Sequence, residues 1–430
     1  MQIWRLPDLR NKILMVLLLL AATRLLAAVP IPGVNLGALR QFFSQNQLFG
    51  LLDIFSGGGL SNLSIAMMGV GPYITASIII QLLAIIVPKL GELQKEGEQG
   101  RAKVNQYTRY LTVPLAILQA FGTITLISRG ASGGVNVLGA LSAGEWLTIL
   151  FSVTAGTMIL MWLGEIITEY GIGNGISLII FAGIVARVPT VAARTVNVQL
   201  LSSDKFLDTS QLPTILGFIL IALVVILGVV VMTEATRNIP VSYAKRVRGN
   251  KLYGGVNTYL PIRINTAGVI PIIFAISVLL FPGVIANFLV NARTPAIANF
   301  ARQVTELFQN QTFYGIAYFL LVVAFTYFYT AVVFNPEDIS DNIQKQGGFI
   351  PGLRPGRMTA DFLYRVLNRI TLAGAVFLGL IAVLPFLMQI VTKTQALTIG
   401  GTSLLIVVAV VIETVKQIDS QLVMRDYEGL

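Results

Sequence analysis

Ten apolar stretches dominate this chain, each close to the 17 to 25 residues or so that an α-helix needs to cross the hydrocarbon core of a bilayer. They fall near residues 13–32, 72–88, 110–128, 146–166, 174–188, 214–234, 266–282, 314–334, 370–390 and 399–418. Charged residues make up only 12% of the sequence, against about 25% in ordinary soluble domains, so the unit of organisation is the membrane span and a soluble enzyme is excluded. There is no Cys and no His. Disulfides, thiolate or imidazole metal sites and histidine acid–base chemistry are therefore ruled out. No Gly-Lys pair occurs anywhere, so the phosphate-cradling loop of nucleotide hydrolases is absent, and no cofactor is expected.

The spacing of Lys and Arg sets an orientation. With the N-terminus inside, 21 basic residues fall on the cytoplasmic side and 8 on the other, with Arg24 inside the first span. This positive-inside bias predicts that both termini are cytoplasmic, and it accounts for most of the net charge of +10. The first span also has the outline of a cleaved signal peptide, with Arg5, Arg10 and Lys12 ahead of an apolar core ending near Ala27 and Ala28. An arginine at a helix centre costs roughly 2.5 to 3.5 kcal/mol, so Arg24 is read as snorkelling or bonded to a neighbouring helix before it is read as a substrate contact.

Ten spans divide into an N-terminal half, 1–188, and a C-terminal half, 189–430. Five spans per half place the second half upside down relative to the first, the geometry of an inverted repeat, in which short or Gly/Pro-interrupted segments at matching positions point to the pathway. The second span of each half qualifies. The stretch Phe55 to Met68 is Gly-led and too short to cross, so it must fold back into protein or a cavity. Pro271 falls inside the span 266–282, where a kink is expected. No span centre carries Asp or Glu; Glu165, Glu169, Glu234 and Glu413 lie toward cytoplasmic ends, which argues against proton coupling. Mid-depth positions are aliphatic instead: Val70 and Ile74, and likewise Ile176 and Ile180, are four apart and share a helical face. Such pairs are ordinarily core or lipid contacts. Only their place just after Gly-rich breaks singles them out.

Residues 234–265 and 335–369 form two basic cytoplasmic loops, with Arg237, Lys245, Arg246, Arg248, Lys251 and Arg263 in the first and Lys345, Arg354, Arg357, Arg365 and Arg369 in the second. Their Gly, Pro and Tyr content predicts ordered structure, and their charge suits phosphate-rich or acidic partners such as ribosomal RNA or anionic lipid headgroups.

Many of these stretches resemble the SecY family of protein-conducting channel subunits. The matches run in order from Pro30-Ile-Pro-Gly33 and Phe55-Ser-Gly-Gly58 through Lys95-Glu-Gly-Glu98, Trp162-Leu-Gly-Glu165, Gly171-Ile-Gly-Asn-Gly-Ile-Ser177 and Tyr243-Ala-Lys-Arg246. They continue with Ala267-Gly-Val-Ile-Pro271, Phe334-Asn-Pro336, Pro351-Gly-Leu-Arg-Pro-Gly356 and Gly400-Gly-Thr-Ser-Leu-Leu-Ile406. The runs 190–212 and 283–312 match no motif of the family.

The resemblance implies an all-α polytopic protein of ten transmembrane helices, in two inverted five-helix halves around a central pore, in the bacterial cytoplasmic (inner) membrane. It implies passage of unfolded secretory polypeptides across the membrane and sideways release of hydrophobic segments into lipid. On this likeness Ser56, Gly57, Gly58, Gly59, Leu60, Ser61, Asn62, Leu63, Ser64, Ile65, Ala66 and Met67 match a plug, and Val70, Ile74, Ile176, Ile180, Ile273 and Ile406 match an aliphatic pore ring. An apolar collar of that kind dewets when empty and resists ion flow. Thr75, Gln81 and Asn265 match polar contacts across a lateral gate between the spans 72–88 and 266–282, and Arg237, Lys245, Arg246, Arg248, Arg354 and Arg357 match docking contacts for a motor or ribosome. The expected partners are SecE, SecG, the SecA motor ATPase, the ribosome, signal sequences, translocating polypeptides and membrane lipids. Val70 stands where an isoleucine is expected, and Asn238 where the second arginine of a doublet is expected.

Two other readings compete on residues alone. A small-solute secondary transporter of inverted-repeat design needs a polar midplane site, and the midplane here is aliphatic. A membrane-embedded hydrolase needs a nucleophile with a positioned base or metal, which without His or Cys only carboxylates supply.

Overall fold

A computed structural model of the protein describes residues 6–31, 59–60, 62–130, 142–200, 212–243, 246–248, 251–253, 257–290, 294–392 and 400–428. Helices account for most of them, and each of the ten expected spans overlaps one. In the first half these are α1 (Pro7–Ala28), α2 (Gly71–Ile86), α4 (Glu98–Gly130), α5 (Ala143–Tyr170) and α6 (Gly175–Leu200). Between α2 and α4 a short helix, α3 (Pro88–Lys95), turns through 110° at Pro88, where the ring cannot continue the helical hydrogen-bond ladder. In the second half the overlapping helices are α7 (Leu212–Glu234), α8 (Ile270–Leu289), α10 (Gln311–Val333), α12 (Arg357–Thr392) and α13 (Gly400–Glu428). Two further helices, α9 (Pro295–Gln309) and α11 (Pro336–Lys345), lie between spans.

Among the described residues, helices α1, α5 and α12 and the stretch Thr312–Lys345 are long and apolar enough to cross a membrane by themselves. The apolar stretches in α6, α7 and α8 are shorter. These elements gain from packing what they lack in length: α8 lies against α10 and, across the molecule, against α2 and α4, while α13 packs on α6 and α7. Two seams thus join the halves, α8 to α2/α4 and α13 to α6. One apolar core runs through both halves, uniting residues such as Val16, Leu160 and Ile180 with Ile273, Tyr318, Leu378 and Ile406.

The basic loops contain β-structure that helical periodicity does not announce. Strand β1 (Thr236–Tyr243) pairs antiparallel with β4 (Asn257–Arg263), Ile239 opposite Leu260, and its other edge takes β5 (Gly348–Phe349), Ser242 opposite Phe349. A two-stranded ribbon, β2 (Arg246–Arg248) and β3 (Lys251–Tyr253), lies in sequence between β1 and β4. In β1, Ile239 and Val241 are buried and Pro240 between them is exposed, the two-residue period of a half-buried strand. The buried face rests on Ile343 of α11 and on Leu363 and Leu367 of α12. One sheet therefore welds the two loops together.

Pro271 does not kink its span. Helix α8 begins at Ile270, so Pro271 stands in the first turn, where its missing N–H has no intrahelical partner to lose and its fixed φ suits the helix. The proline inside α8 is Pro282.

An aliphatic neck as the candidate functional site

Helices α2 and α8 start with the same turn. Gly69-Val-Gly-Pro72 and Gly268-Val-Ile-Pro271 both place glycine in the left-handed region, at φ 56 and 62, a conformation costly for a residue with a Cβ. Each then caps its helix with valine, Val70 at φ −95 and ψ 6, Val269 at φ −95 and ψ −8, before proline opens the first turn. The amide of Ile74 donates to the Val70 carbonyl at 3.1 Å and that of Ile273 to the Val269 carbonyl at 3.4 Å. Ile74 and Ile273 thus occupy equivalent positions two residues after proline. Val269, buried beside them, is the counterpart of Val70 and was not singled out from sequence. The motif Gly-Val-x-Pro-x-Ile, repeated at 69–74 and 268–273, is the signal that identifies it.

All six aliphatic residues matched to a pore ring meet in the central cluster. Val70, Ile180, Ile273 and Ile406 are buried members, and Ile74 and Ile176 pack against it half-buried. They come from the start of α2, from α6, from α8 and from α13, so both halves contribute.

Beside the neck, the described part of the 56–67 segment folds back through turns. Residues Ser56, Gly57, Gly58 and Ser61 lie outside the described residues. The Ile31 amide donates to the Leu63 carbonyl at 2.9 Å and the Ile65 amide to the Val29 carbonyl at 3.1 Å, clipping the segment to the chain that leaves α1. Ser64 Oγ donates to the Gly59 carbonyl at 3.1 Å. Leu60, Leu63 and Met67 fill a second core with Ile124 and Ile127 of α4 and Ile149 and Val153 of α5, whereas Ala66 belongs to the central cluster. Gly156 of α5 makes this seat possible: a Cβ there would strike the Ile65 carbonyl.

Of the polar residues expected to bridge α2 and α8, two bond within the first half and the third leaves an oxygen without a partner. Thr75 Oγ1 donates to the Gly71 carbonyl of its own helix at 3.0 Å and accepts from Gln119 Nε2 of α4 at 3.3 Å. Gln81 Nε2 donates to Ser77 Oγ one turn back at 3.2 Å. Asn265 Oδ1 is buried with no hydrogen-bond partner. The expected cross-gate hydrogen bonds are therefore replaced by bonds within the first half, because a helical threonine or glutamine finds a partner one turn away without spanning a seam. What joins α2 and α8 in this structure is apolar packing.

Three contacts of charged side chains join neighbouring helices. Arg24 Nη2 donates to the Ile179 carbonyl of α6 at 3.4 Å, the interhelical reading of that residue. Arg109 of α4 pairs with Glu165 of α5 at 2.8 Å, and Lys416 of α13 with Glu234 of α7 at 2.8 Å.

Of the basic positions, Arg237 is exposed on β1, and Arg246 and Arg248 lie on β2; Lys245 falls outside the described residues. Arg354 and Arg357 are exposed around a tight turn. That turn is fixed from several sides: Thr359 Oγ1 donates to the Arg354 carbonyl at 3.0 Å, Ser340 Oγ to the Gly356 carbonyl at 2.8 Å, and the Leu353 amide to the Ile350 carbonyl at 3.0 Å. Tyr243 Oη donates to Gln346 Oε1 at 3.4 Å, bracing one loop on the other.

The described residues thus form a many-helix membrane protein with an apolar cluster shared by both halves, a folded-back segment packed beside it and a basic sheet built from two loops. A family model described as SecY matches residues 64–415. The protein translocase subunit SecY of Streptomyces galbus is 44% identical over 437 residues, covering 99% of this chain and 98% of the relative. That of Mycobacterium bovis is 43% identical over 442 residues, covering 99% and 97%. Among solved structures, one reported as a protein-conducting channel superposes with a TM-score of 0.62 at 18% identity, over 94% of this chain and 90% of that one. Canine Sec61 in a ribosome–channel complex gives 0.58 at 18% identity, over 94% and 90%. The chain belongs to the SecY family.

Proposed function

We propose that this chain is a protein-conducting channel and not an enzyme, in which an extended polypeptide threads the neck formed by Val70, Ile74, Ile176, Ile180, Ile273 and Ile406. The observation that carries this reading is that the six residues, drawn from four helices and both halves, share one apolar cluster. Exposing them to water would cost about 1.5 to 3 kcal/mol each, so an empty neck stays shut and dewetted. A passing chain supplies replacement contacts, and aliphatic side chains accept segments of any sequence. The small-solute transporter is not favoured, since its polar midplane site would have to occupy this same cluster.

The segment 56–67 acts as the plug, seated on Gly156. Sideways release runs between α2 and α8, where a hydrophobic segment exchanges apolar packing for its own. The sequence holds no phosphate-cradling Gly-Lys loop, so the driving force is assigned to partners: a SecA motor or a ribosome docked on the two basic loops through Arg237, Lys245, Arg246, Arg248, Arg354 and Arg357, with SecE and SecG as companion subunits. Both termini are assigned to the cytoplasmic side of the bacterial inner membrane, as the bias of 21 basic residues against 8 supports.

The chain has no native cysteine, so single cysteines at Ile74 and at Ile406 test the path directly. A reconstituted channel jammed with an arrested secretory substrate bearing one Cys is expected to form a disulfide from either position to the same substrate segment. Engaged substrate with no crosslink from either position would overturn the neck as the path.

A further inference from the structure

Helix α9 divides cleanly into three faces. Ala298, Ala301, Thr305 and Phe308 form one, with Ala301 buried and Phe308 packed on the central cluster. Ile297, Phe300, Val304 and Leu307 form a second, three or four residues apart; Ile297 is 44% exposed, Phe300 66% and Leu307 50%. Asn299, Arg302, Gln303 and Glu306 form the third, all exposed. A helix buried in protein needs no third face, and a helix lying in water gains nothing from the second.

Position and length narrow the surroundings. At 15 residues α9 extends about 22 Å, short of the roughly 30 Å hydrocarbon core. It joins the end of α8 to Asn310, whose side chain caps α10 by accepting from the amides of Thr312 and Phe313, so it sits where two spans meet the membrane surface. It packs on both of these helices, and their own apolar rows, Val278 and Ile285 on α8 and Phe313, Ile316 and Leu320 on α10, are exposed as well. Three helices packed on one another thus each carry exposed apolar side chains.

We propose that α9 lies in the plane of the membrane–water boundary, with Ile297, Phe300, Val304 and Leu307 in lipid and Asn299, Arg302, Gln303 and Glu306 in water. Interfacial helices bind through buried apolar area plus any electrostatic attraction. With one Arg and one Glu, α9 carries no net charge, so its seat requires no anionic headgroup. It fixes the depth at which α8 leaves the bilayer, and α8 is one wall of the proposed lateral gate.

The test uses the full chain, free of native cysteine, in phosphatidylcholine vesicles with single bimane-labelled cysteines at Phe300, Leu307, Asn299 and Gln303. Brominated acyl chains probe lipid contact, and iodide on both sides of the vesicle probes water. Labels at Phe300 and Leu307 are expected to be quenched by the brominated lipid and spared by iodide, and those at Asn299 and Gln303 the reverse, unchanged when phosphatidylglycerol is added. Iodide quenching of all four labels would overturn the proposal, as would shielding of Phe300 and Leu307 from both quenchers, the result expected if a second copy or another protein covered this face.

Discussion

Helices α2 and α8 begin with the same turn, yet the chain arrives at the two turns from different structures. The segment running into α2 is the folded-back stretch 59–68, clipped to Val29 and Ile31. The segment running into α8 is the end of β4, part of the basic platform. A left-handed glycine, a valine cap and a proline do the same local work in both halves: they start a helix abruptly and set an aliphatic side chain at the neck. The difference lies in what each turn is attached to. One connects the central cluster to the folded-back segment proposed as a plug, and the other to the basic sheet proposed as a docking surface, so the same helix start is attached to different elements in the two halves.

The largest effect that would sharpen this contrast is at the platform. Replacing Arg354 by Glu reverses an exposed charge on a turn held by its backbone, and motor-driven translocation in reconstituted vesicles is expected to fall on the order of tenfold or more. Expression and membrane insertion should be unaffected; a wild-type transport rate would remove Arg354 from the docking surface.

At the other attachment, Gly156→Ala pushes a methyl group into the Ile65 carbonyl, an overpacking worth about 1 to 3 kcal/mol. The folded-back segment then loses its seat, and resting ion conductance through planar bilayers is expected to rise. Conductance as low as the parent's would mean that this segment does not seal the neck.

Gly69→Ala and Gly268→Ala test whether the turns are equivalent. Each forces a Cβ into a left-handed conformation at about 1 to 2 kcal/mol, and the two should lower the thermal midpoint by similar amounts. Gly69→Ala alone should also leak, since only its turn carries the folded-back segment. Unequal midpoints would break the equivalence.

The smallest effect lies far from both. Ser142 and Glu145 form a capping box at the start of α5, the Ser142 amide donating to Glu145 Oε2 at 2.7 Å, and this bond holds the Glu145 carboxyl below its usual pKa. A depressed carboxylate stabilises above its ordinary pKa and loses that contribution as pH falls through the lowered value. Acidification below the ordinary carboxylate range should therefore speed amide exchange in the first turn of α5 and leave its centre unchanged; equal protection at both pH values would discount the cap.

Much of the architecture was legible in the residues. Span positions follow from hydropathy because a bilayer demands a long apolar run with its backbone satisfied internally, and helical hydrogen bonds are local. The folding back of the stretch ahead of α2 was readable for the same reason, being too short to cross. Less legible was anything that joined distant parts. Pro271 looked like a kink because its span was placed four residues too early, and only the observed start at Ile270 turns it into a first-turn proline. Thr75 and Gln81 were matched to partners across a seam, yet each finds one in its own half.

The sequence by itself determined that this protein lives in a membrane and where its long apolar helices fall. Tertiary structure alone decided that the two basic loops share one sheet, bridged by Tyr243 and Gln346 at 103 positions' separation, and that six aliphatic residues from four helices meet in one apolar cluster. The physical reason is the range of the interactions. Burial of a helix in lipid is written within some twenty consecutive residues, whereas strand pairing and core packing depend on partners whose proximity only the completed fold establishes.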